Sequence, residues 1–287
     1  MSFPELLAAD ARLIQGRLDR AMAGMGDAPV IQAMRYACQG GKRLRGFLVL
    51  ETARMLGVRA ERSVSAAAAV EALHAYSLVH DDLPCMDDDD LRRGQPTVHR
   101  KWDEAVAVLC GDALQTLAFE LLTDAALGSA EVRLALVLGL AKASGAEGMV
   151  LGQALDMAAE TATDLTLDDI TALQAGKTGA LIRFSAEAGA ILAGVDRGPL
   201  REYATALGLA FQIADDILDV TGDASKAGKR LGKDQAAGKA TFVSLLGLQV
   251  AQSRARDLIA QAEAALTPYT GTHNLIDAAR FAIARES

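Results

Sequence analysis

Apolar residues recur at helical spacing along almost the whole of this 287-residue chain. They form segments of roughly 10 to 25 residues, separated by short breaks containing Gly or Asp, as helix stop and start signals require. No alternating strand pattern persists, and no internal repeat is visible. Aromatic residues make up only 4% of the chain, and the abundant Ala and Leu favour helices over sheets. We therefore predict an all-α protein of roughly ten to twelve helices.

The composition is that of a globular protein with a large core. Hydrophobic residues make up 51% of the chain and charged residues 23%, which is too little charge for a disordered chain. The length exceeds that of a typical domain, but helical folds of this size often share one core. We therefore expect a single domain over residues 1–287.

Charge and cysteine usage restrict the compartment and the partners. The formal net charge of -8 makes nucleic acid and anionic membranes unexpected partners. The three cysteines are an odd number without metal-ligand or redox spacing, which favours a reducing compartment. The N-terminus is acidic and amphipathic, and we expect no stretch long enough to span a bilayer. These features predict a soluble, cytoplasmic protein without stable membrane association.

An acidic motif, HDDLPCMDDDDLRRG, occupies residues 80–94. Two like charges about 4 Å apart repel by about 4 kcal/mol at an effective dielectric near 20, so such a cluster favours a bound cation. Hard oxygen ligands indicate Mg²⁺ completed by a substrate phosphate. A solvated acidic loop, with Asp90 paired to a neighbouring Arg, is an equally good reading of the motif alone. Pro84 predicts that the helix running from Ala66 to Asp82 ends there.

A second acidic motif, FQIADDILD, occupies residues 211–219. At about 100° per residue, Asp215 and Asp219 lie about 40° apart on a helix, and Asp216 falls within the same broad arc. The three acids interrupt an apolar pattern, which predicts that they face a cavity. The alternative, an acidic stripe on an amphipathic helix, is weaker because no basic partners follow four residues later.

Basic residues stand out in this acidic chain at three places: the GGKRLR stretch of residues 40–45, the pair Arg92 and Arg93, and Lys177 with Thr178. Glycines allow close backbone approach, and Lys and Arg match phosphate oxygens, so these clusters indicate phosphate binding. A solvated helix start is the alternative for GGKRLR. Residues 221–238 carry several glycines and lysines, which predicts a basic loop that could act as a lid. Thr166 opens a variant capping box for the helix carrying Lys177.

Taken together, the motifs GGKRLR, HDDLPCMDDDDLRRG, GDALQTLAF, KT, FQIADDILD and GKD resemble the trans-isoprenyl diphosphate synthase family, in particular its bacterial geranyl/farnesyl type. The resemblance covers roughly Gly40 to Thr241. It implies an isoprenoid-synthase fold, a helical bundle around a central cavity, and a homodimer. It also implies a prenyltransferase that condenses isopentenyl diphosphate head to tail with dimethylallyl or geranyl diphosphate. Farnesyl diphosphate and diphosphate would be the products.

The same resemblance assigns roles to individual residues. It implies three Mg²⁺ ions per active site, two held by Asp81, Asp82 and Asp87 and a third held by Asp215, with Asp216 and Asp219 around it. The allylic diphosphate would be bound by Arg92, Lys177 and Lys233, with Lys229 a further candidate in the same loop. The isopentenyl diphosphate site would consist of Lys42, Arg45, His74 and Arg93. Thr178 and Gln212 would stabilise the developing carbocation.

Two positions depart from the family pattern. Gly46 stands where the family usually has Pro, and Val243-Ser244 replaces a common aromatic-Pro region. Neither departure removes a predicted ligand. His74 taken alone would be read as a satisfied histidine of a buried helix.

These residues imply a mechanism that needs no side-chain general base. Magnesium ions and cationic side chains neutralise the departing diphosphate, and the allylic cation is attacked by the double bond of isopentenyl diphosphate. The groups we expect to act in catalysis are Asp81, Asp82, Lys177, Thr178, Gln212 and Asp215. The final proton would be lost to the released diphosphate.

Product length is the least determined property. The family pattern indicates Tyr76, five positions before Asp81, as the residue that closes the cavity beneath the growing chain. An ideal helical wheel instead selects Ser77, about 40° from Asp81. The alternatives are a geranylgeranyl diphosphate synthase with a C20 product and, more remotely, a class I terpene cyclase. The GGKRLR cluster and the second acidic motif argue against a cyclase, and a non-catalytic subunit would lack metal ligands that are present here.

Overall fold

A computed structural model describes residues 2–162, 164–221 and 240–284. The all-α expectation is confirmed, since the described chain is built almost entirely from helices. The first half contains α1 (Phe3–Met22), α2 (Pro29–Ala37), α3 (Leu44–Met55), α4 (Val64–Asp81), α5 (Val98–Lys101), α6 (Glu104–Leu121) and α7 (Ala130–Ser144). The second half contains α8 (Met149–Ala159), α9 (Leu167–Gln174), α10 (Ala180–Ala193), α11 (Gly198–Thr221), α12 (Phe242–Leu246), α13 (Leu248–Ala265) and α14 (His273–Ile283).

Shorter elements connect these helices. Two 3-10 turns, Ala60–Arg62 and Ala125–Leu127, precede α4 and α7, and a π-helical turn, Ala175–Gly179, joins α9 to α10. The fourteen α-helices of the described residues exceed the predicted number. The excess comes from elements such as α5 and α12, which are too short to show a helical period in the sequence.

The chain divides into two compact units, Met1–Leu140 with Ile191–Gly194 and Ala141–Ala190 with Val195–Ser287. We refer to them as unit 1 and unit 2. The expectation of one domain over the whole chain stays a prediction.

Helix α4 is the central helix of unit 1. It packs against α3 and α6, and its residues Ala66 to Val70 have no exposed surface. A helix that is apolar all round is buried all round, so the few polar side chains on α4 stand out. The helix ends at Asp81, as Pro84 predicts.

Helix α11 is the central helix of unit 2. It packs against α13, and its buried Tyr203 donates a hydrogen bond to the Leu275 carbonyl oxygen at 2.8 Å. The predicted capping box at Thr166 is confirmed: the Asp169 amide donates to Thr166 Oγ1 at 3.2 Å, and the Thr166 amide donates to Asp169 Oδ2 at 2.9 Å.

A small hairpin follows the first acidic motif. Strands β1 (Leu91–Arg92) and β2 (Gln95–Pro96) pair antiparallel, with Arg92 opposite Gln95. The two turn residues, Arg93 and Gly94, have φ values of 53° and 75°, as a two-residue hairpin turn requires. Strands of two residues are too short to show an alternating pattern in the sequence. The only local signal for this hairpin is the turn pair Arg93-Gly94.

One segment of the described residues, Ala130–Ala159, is by length and composition apolar enough to cross a membrane, and its most apolar part has a mean hydropathy of 1.5 and is 33% buried. The expectation that no stretch reaches this length is therefore wrong. The segment bends between Ser144 and Met149, where α7 ends and α8 begins. Core helices of proteins without a membrane span can be equally long and apolar.

Candidate active site

The first acidic motif folds into a tight turn at the end of α4. The amide of Asp87 donates to the Asp81 carbonyl oxygen at 2.8 Å, and the amide of Asp88 donates to that of Leu83 at 3.2 Å. This turn brings the backbones of Asp81 and Asp87 together although five residues separate them. Both residues retain access to solvent, since Asp81 is partly buried and Asp87 is exposed.

Two other acids of this motif are paired with arginines. Asp82 is buried, and its Oδ1 accepts from Arg92 Nη2 at 2.6 Å and from Nε at 2.7 Å. Burial raises the pKa of Asp82, and the Arg92 guanidinium offsets part of that shift. The exposed Asp90 pairs with an arginine, as the alternative reading of the motif expected, but the partner is Arg100 and not the adjacent Arg92 or Arg93.

The residues predicted for isopentenyl diphosphate gather in unit 1. Arg45 Nη1 lies 3.3 Å from His74 Nε2. Burial and the nearby Arg45 hold the pKa of His74 well below its usual value, so the neutral imidazole can accept a hydrogen bond from Arg45. Arg93 packs over the GGKRLR stretch, since a Cβ on Gly41 would lie 2.7 Å from Arg93 Nη1. Lys42 lies exposed on that stretch.

Of the residues predicted for the allylic diphosphate and the carbocation, Lys177, Thr178 and Gln212 lie in unit 2, whereas Arg92 lies in unit 1. Lys177 and Thr178 lie in the π-helical turn, a feature often found at functional sites. Thr178 Oγ1 donates to Gln212 Oε1 at 3.3 Å, and Gln212 Nε2 donates to Asp216 Oδ1 at 3.2 Å. A continuous chain of polar contacts therefore joins the KT pair to the second acidic motif.

The acids of the second motif differ in environment. Asp216 is buried, and its Oδ2 accepts from the Phe242 amide at 2.8 Å, which fixes the start of α12. Asp215 and Asp219 are only partly buried. Asp216 thus has a structural task that the helical wheel did not indicate.

A further carboxylate, Asp156 of α8, was missed by sequence reasoning. Its Oδ2 lies 2.5 Å from Lys177 Nζ, and its side chain is 6% exposed. Helix α8 approaches the π-helical turn closely because Gly152 has no side chain: a Cβ there would lie 2.0 Å from the Lys177 amide nitrogen. The available signal was a single acid in the apolar run MVLGQALDMAA.

Tyr76 and Ser77 occupy different surroundings on α4. Tyr76 is buried, and its ring meets that of His80 edge to face with centroids 5.4 Å apart. His80 Nε2 in turn lies 3.0 Å from the Val108 carbonyl oxygen of α6. Ser77 Oγ donates to the His74 carbonyl oxygen of its own helix at 2.9 Å.

The two lysines predicted for the basic loop, Lys229 and Lys233, lie outside the described residues.

The donor chemistry of the acidic motifs fits Mg²⁺. No group of three or more His, Cys, Asp or Glu residues within the described ranges is close enough to hold a metal ion by itself. Mg²⁺ in proteins typically uses one or two carboxylates with waters and substrate phosphates, so a pair such as Asp81 and Asp87 is sufficient. The predicted ligand set stays a prediction.

These features define a helical enzyme with two acid-rich motifs, each accompanied by cationic side chains. The family profile described as polyprenyl synthetase matches residues 28–268. The chain therefore belongs to the polyprenyl synthetase family, whose members generally use Mg²⁺ and bind isoprenyl diphosphates.

Individual relatives narrow the comparison. The chain is 50% identical to the farnesyl diphosphate synthase of Escherichia coli K12 over 276 residues, which is 93% of this chain and 92% of that one. The crystal structure of an FPP/GFPP synthase from Zymomonas mobilis has a TM-score of 0.89 and 45% identity, covering 98% of this chain and 99% of that one. Geranylgeranyl pyrophosphate synthase 4 of Arabidopsis thaliana is 42% identical, over 86% of this chain and 68% of that one.

Proposed function

We propose that this chain condenses isopentenyl diphosphate head to tail with dimethylallyl and geranyl diphosphate, giving farnesyl diphosphate and diphosphate. The observation that carries the proposal is the likeness to a farnesyl diphosphate synthase along more than nine tenths of both chains. The two clusters of predicted residues support it, since each unit contains a cation from the predicted site paired with a buried carboxylate, Arg92 with Asp82 and Lys177 with Asp156.

Three Mg²⁺ ions would complete the site. Asp81 and Asp87 would hold two of them and Asp215 the third, with Asp219 nearby. Asp82 is paired with Arg92, and Asp216 accepts a hydrogen bond from the Phe242 amide. These two acids would therefore orient the motifs and not bind the ions directly. When bound, the ions neutralise the diphosphate and make it a better leaving group.

Side chains of unit 2 would bind and activate the allylic substrate. Asp156 holds the Lys177 ammonium in place, so that the cation is already oriented before it meets a diphosphate oxygen. The oxygens of Thr178 and Gln212, which lie within hydrogen-bond distance of each other, can direct negative dipoles at an allylic carbocation.

Side chains of unit 1 would bind the second substrate. Arg45, with the neutral His74 beside it, offers a guanidinium for the diphosphate of isopentenyl diphosphate. Arg93 and Lys42 add two further cations. Proximity of the double bond to the allylic carbon then supplies the catalytic advantage, and the released diphosphate takes the proton.

A C20 product is the second candidate. It is supported by the 42% identity with a geranylgeranyl pyrophosphate synthase, which is lower than the identity with the bacterial farnesyl diphosphate synthase. The family pattern favours the shorter product, because it makes an aromatic residue at the position of Tyr76, which is buried here, the floor beneath the growing chain.

The chain would act as a homodimer in the cytoplasm. Exposed apolar side chains recur on α6 and α7 of unit 1, including Leu109 (56% exposed), Leu134 (67%) and Leu138 (55%). A second copy of the chain would cover such residues. Leu134 and Leu138 belong to the apolar segment Ala130–Ala159, so a second copy would also cover part of that segment.

Product analysis tests the proposal. Purified protein is incubated with isopentenyl diphosphate, dimethylallyl diphosphate and Mg²⁺, and the products are identified by chain length. We expect a C15 diphosphate to dominate, and excess chelator should abolish its formation. A predominant C20 product would select the second candidate. Cyclised hydrocarbons from the allylic substrate alone, or no product under any condition, would contradict the proposal.

A further inference from the structure

Helix α3 begins without a capping side chain of its own. Its N-cap residue, Arg43, has a left-handed backbone with φ of 53°, and its side chain makes no cap hydrogen bond. The first amides of a helix have no partner within the helix. Here a neighbouring helix supplies one: Glu71 Oε1 of α4 accepts from the Gly46 amide at 2.8 Å. A negative charge is favourable at a helix N-terminus.

The other oxygen of Glu71 binds the N-cap residue itself. Glu71 Oε2 lies 3.4 Å from Arg43 Nη1. Both side chains are buried, with 4% of Glu71 and 5% of Arg43 exposed. The same guanidinium donates to Gln15 Oε1 of α1 at 2.7 Å and to the Cys38 carbonyl oxygen. Such surroundings can hold a non-glycine residue in the left-handed region.

The Glu71–Arg43 pair lies beside two cations predicted to bind isopentenyl diphosphate. Arg43 lies between Lys42 and Arg45, and Arg45 contacts His74, which follows Glu71 by three residues on α4. Residues three apart lie on one face of a helix. One face of α4 therefore fixes both the backbone of the GGKRLR stretch, through Glu71, and the Arg45 guanidinium, through His74.

The small size of Gly46 permits the contact. A Cβ at this position would lie 2.6 Å from Ile14 Cδ1 and 3.1 Å from Glu71 Cγ. A proline at this position would also lack the amide that donates to Glu71. In this chain the hydrogen bond to Glu71 supplies a constraint that the more flexible glycine backbone lacks.

We infer that Glu71 is a positioning residue, whose buried carboxylate holds the start of α3 so that Lys42 and Arg45 are oriented to bind isopentenyl diphosphate. The inference rests on the proposed function, in which these two cations bind that substrate. Glu71 itself is buried and acts through Arg43 and the Gly46 amide.

The test measures Glu71→Gln against Glu51→Gln. Glu51 is a matched control because it is also a buried carboxylate of unit 1, paired with Arg54 at the other end of α3. We expect Glu71→Gln to raise KM and the calorimetric Kd for isopentenyl diphosphate about tenfold, or about 1.4 kcal/mol. The KM for the allylic substrate should stay within about twofold, as should all constants of Glu51→Gln, although its Tm falls.

A second variant covers the case in which Glu71→Gln does not fold. The double variant Arg43→Met/Glu71→Met leaves no buried charge behind, and replacing a buried pair by apolar residues often preserves stability. It should show the same selective loss of isopentenyl diphosphate affinity.

Each remaining outcome contradicts a defined claim. A folded variant that keeps wild-type affinity for isopentenyl diphosphate, or that loses affinity equally for both substrates, overturns the role of Glu71 and leaves the proposed function intact. Wild-type protein that forms no prenyl product overturns the proposed function, and this inference with it.

Discussion

Two single carboxylates in apolar helices hold cationic side chains of the predicted site or its surroundings in position. Glu71 and Asp156 each interrupt an apolar run, and each is buried beside a cation, Arg43 and Lys177 respectively. A buried charge is costly unless it is paired. In this chain one such pair contains a predicted substrate-binding cation, Lys177, and the other lies beside two of them, Lys42 and Arg45.

At the residue scale, we predict that Asp81→Ala or Asp215→Ala loses most turnover and stays folded. Removing a metal ligand also relieves repulsion among neighbouring carboxylates. Asp90→Ala is the control, because its solvent-exposed pair with Arg100 should contribute little to the free energy of unfolding. Turnover and Tm are measured for all three, and full turnover in either motif variant would refute the metal assignment.

The two diphosphate sites should be separable by mutation. We expect Arg45→Ala to weaken the binding of isopentenyl diphosphate and Lys177→Ala to weaken the binding of the allylic substrate. Each loss should be about 1.5 to 3 kcal/mol, because each variant loses a charge-assisted contact. Lys177→Gln is measured as well, because it keeps a hydrogen-bond donor for the buried Asp156. Arg201→Ala, which removes an ion pair with Glu187, serves as a control. Equal changes in both Michaelis constants from both variants would contradict the assignment.

Product length should depend on Tyr76. Tyr76→Ala removes the buried ring that packs on His80, so we expect products to extend from C15 to C20 or beyond while turnover persists. Ser77→Ala is the matched neighbour and should leave the C15 product unchanged. Chain length is read by chromatography of the dephosphorylated products. An unchanged C15 product from folded, active Tyr76→Ala would remove this residue from the role.

At the scale of elements, the π-helical turn and α8 form one packed arrangement around Lys177. The absence of a side chain at Gly152 lets the two backbones approach closely. The π-helical turn interrupts the regular helix at the KT pair. Backbone geometry therefore sets the position of the Lys177 ammonium as much as its ion pair does.

We predict that Gly152→Ala destabilises the protein by about 1 to 3 kcal/mol or more, because its Cβ would overlap backbone atoms that cannot move aside. Gly16→Ala in α1 is the contrasting variant: its Cβ would lie 3.5 Å from Arg20 Nη1, and it should stabilise by about 0.5 to 1 kcal/mol. Chemical denaturation measures both. A Gly152→Ala protein as stable as wild type would show that α8 does not constrain the turn.

At the scale of the whole molecule, the apolar surface of α6 and α7 bears on assembly. Sedimentation should give twice the mass of one chain, and Leu109→Glu with Leu134→Glu should shift the protein to monomers, because charges are costly in an interface core. Val250→Glu on α13 is a matched control with similar exposure, at 55%, and should leave the mass unchanged. Wild-type monomer at micromolar concentration would contradict the proposed homodimer.

The sequence by itself determined the helical class, the two acidic motifs, the end of α4 near Pro84 and the capping box at Thr166. These features are local: they depend on periodicity, on the missing amide of proline and on a side chain that reaches three residues along the chain. The tertiary structure decided which members of each motif are occupied by protein partners. Asp82 and Asp216 cannot be told from their neighbours by spacing, because their partners, Arg92 and the Phe242 amide, are brought to them only by folding.

The same reason applies to the pairs that sequence reasoning missed. Glu71 lies 28 residues from Arg43, and Asp156 lies 21 residues from Lys177. No helical or strand period relates positions so far apart, so only the packing of α4 against α3, and of α8 against the π-helical turn, could reveal them. Local chemistry along the chain thus predicted the kinds of groups in the site, and the approach of helices distant in sequence decided how those groups are held.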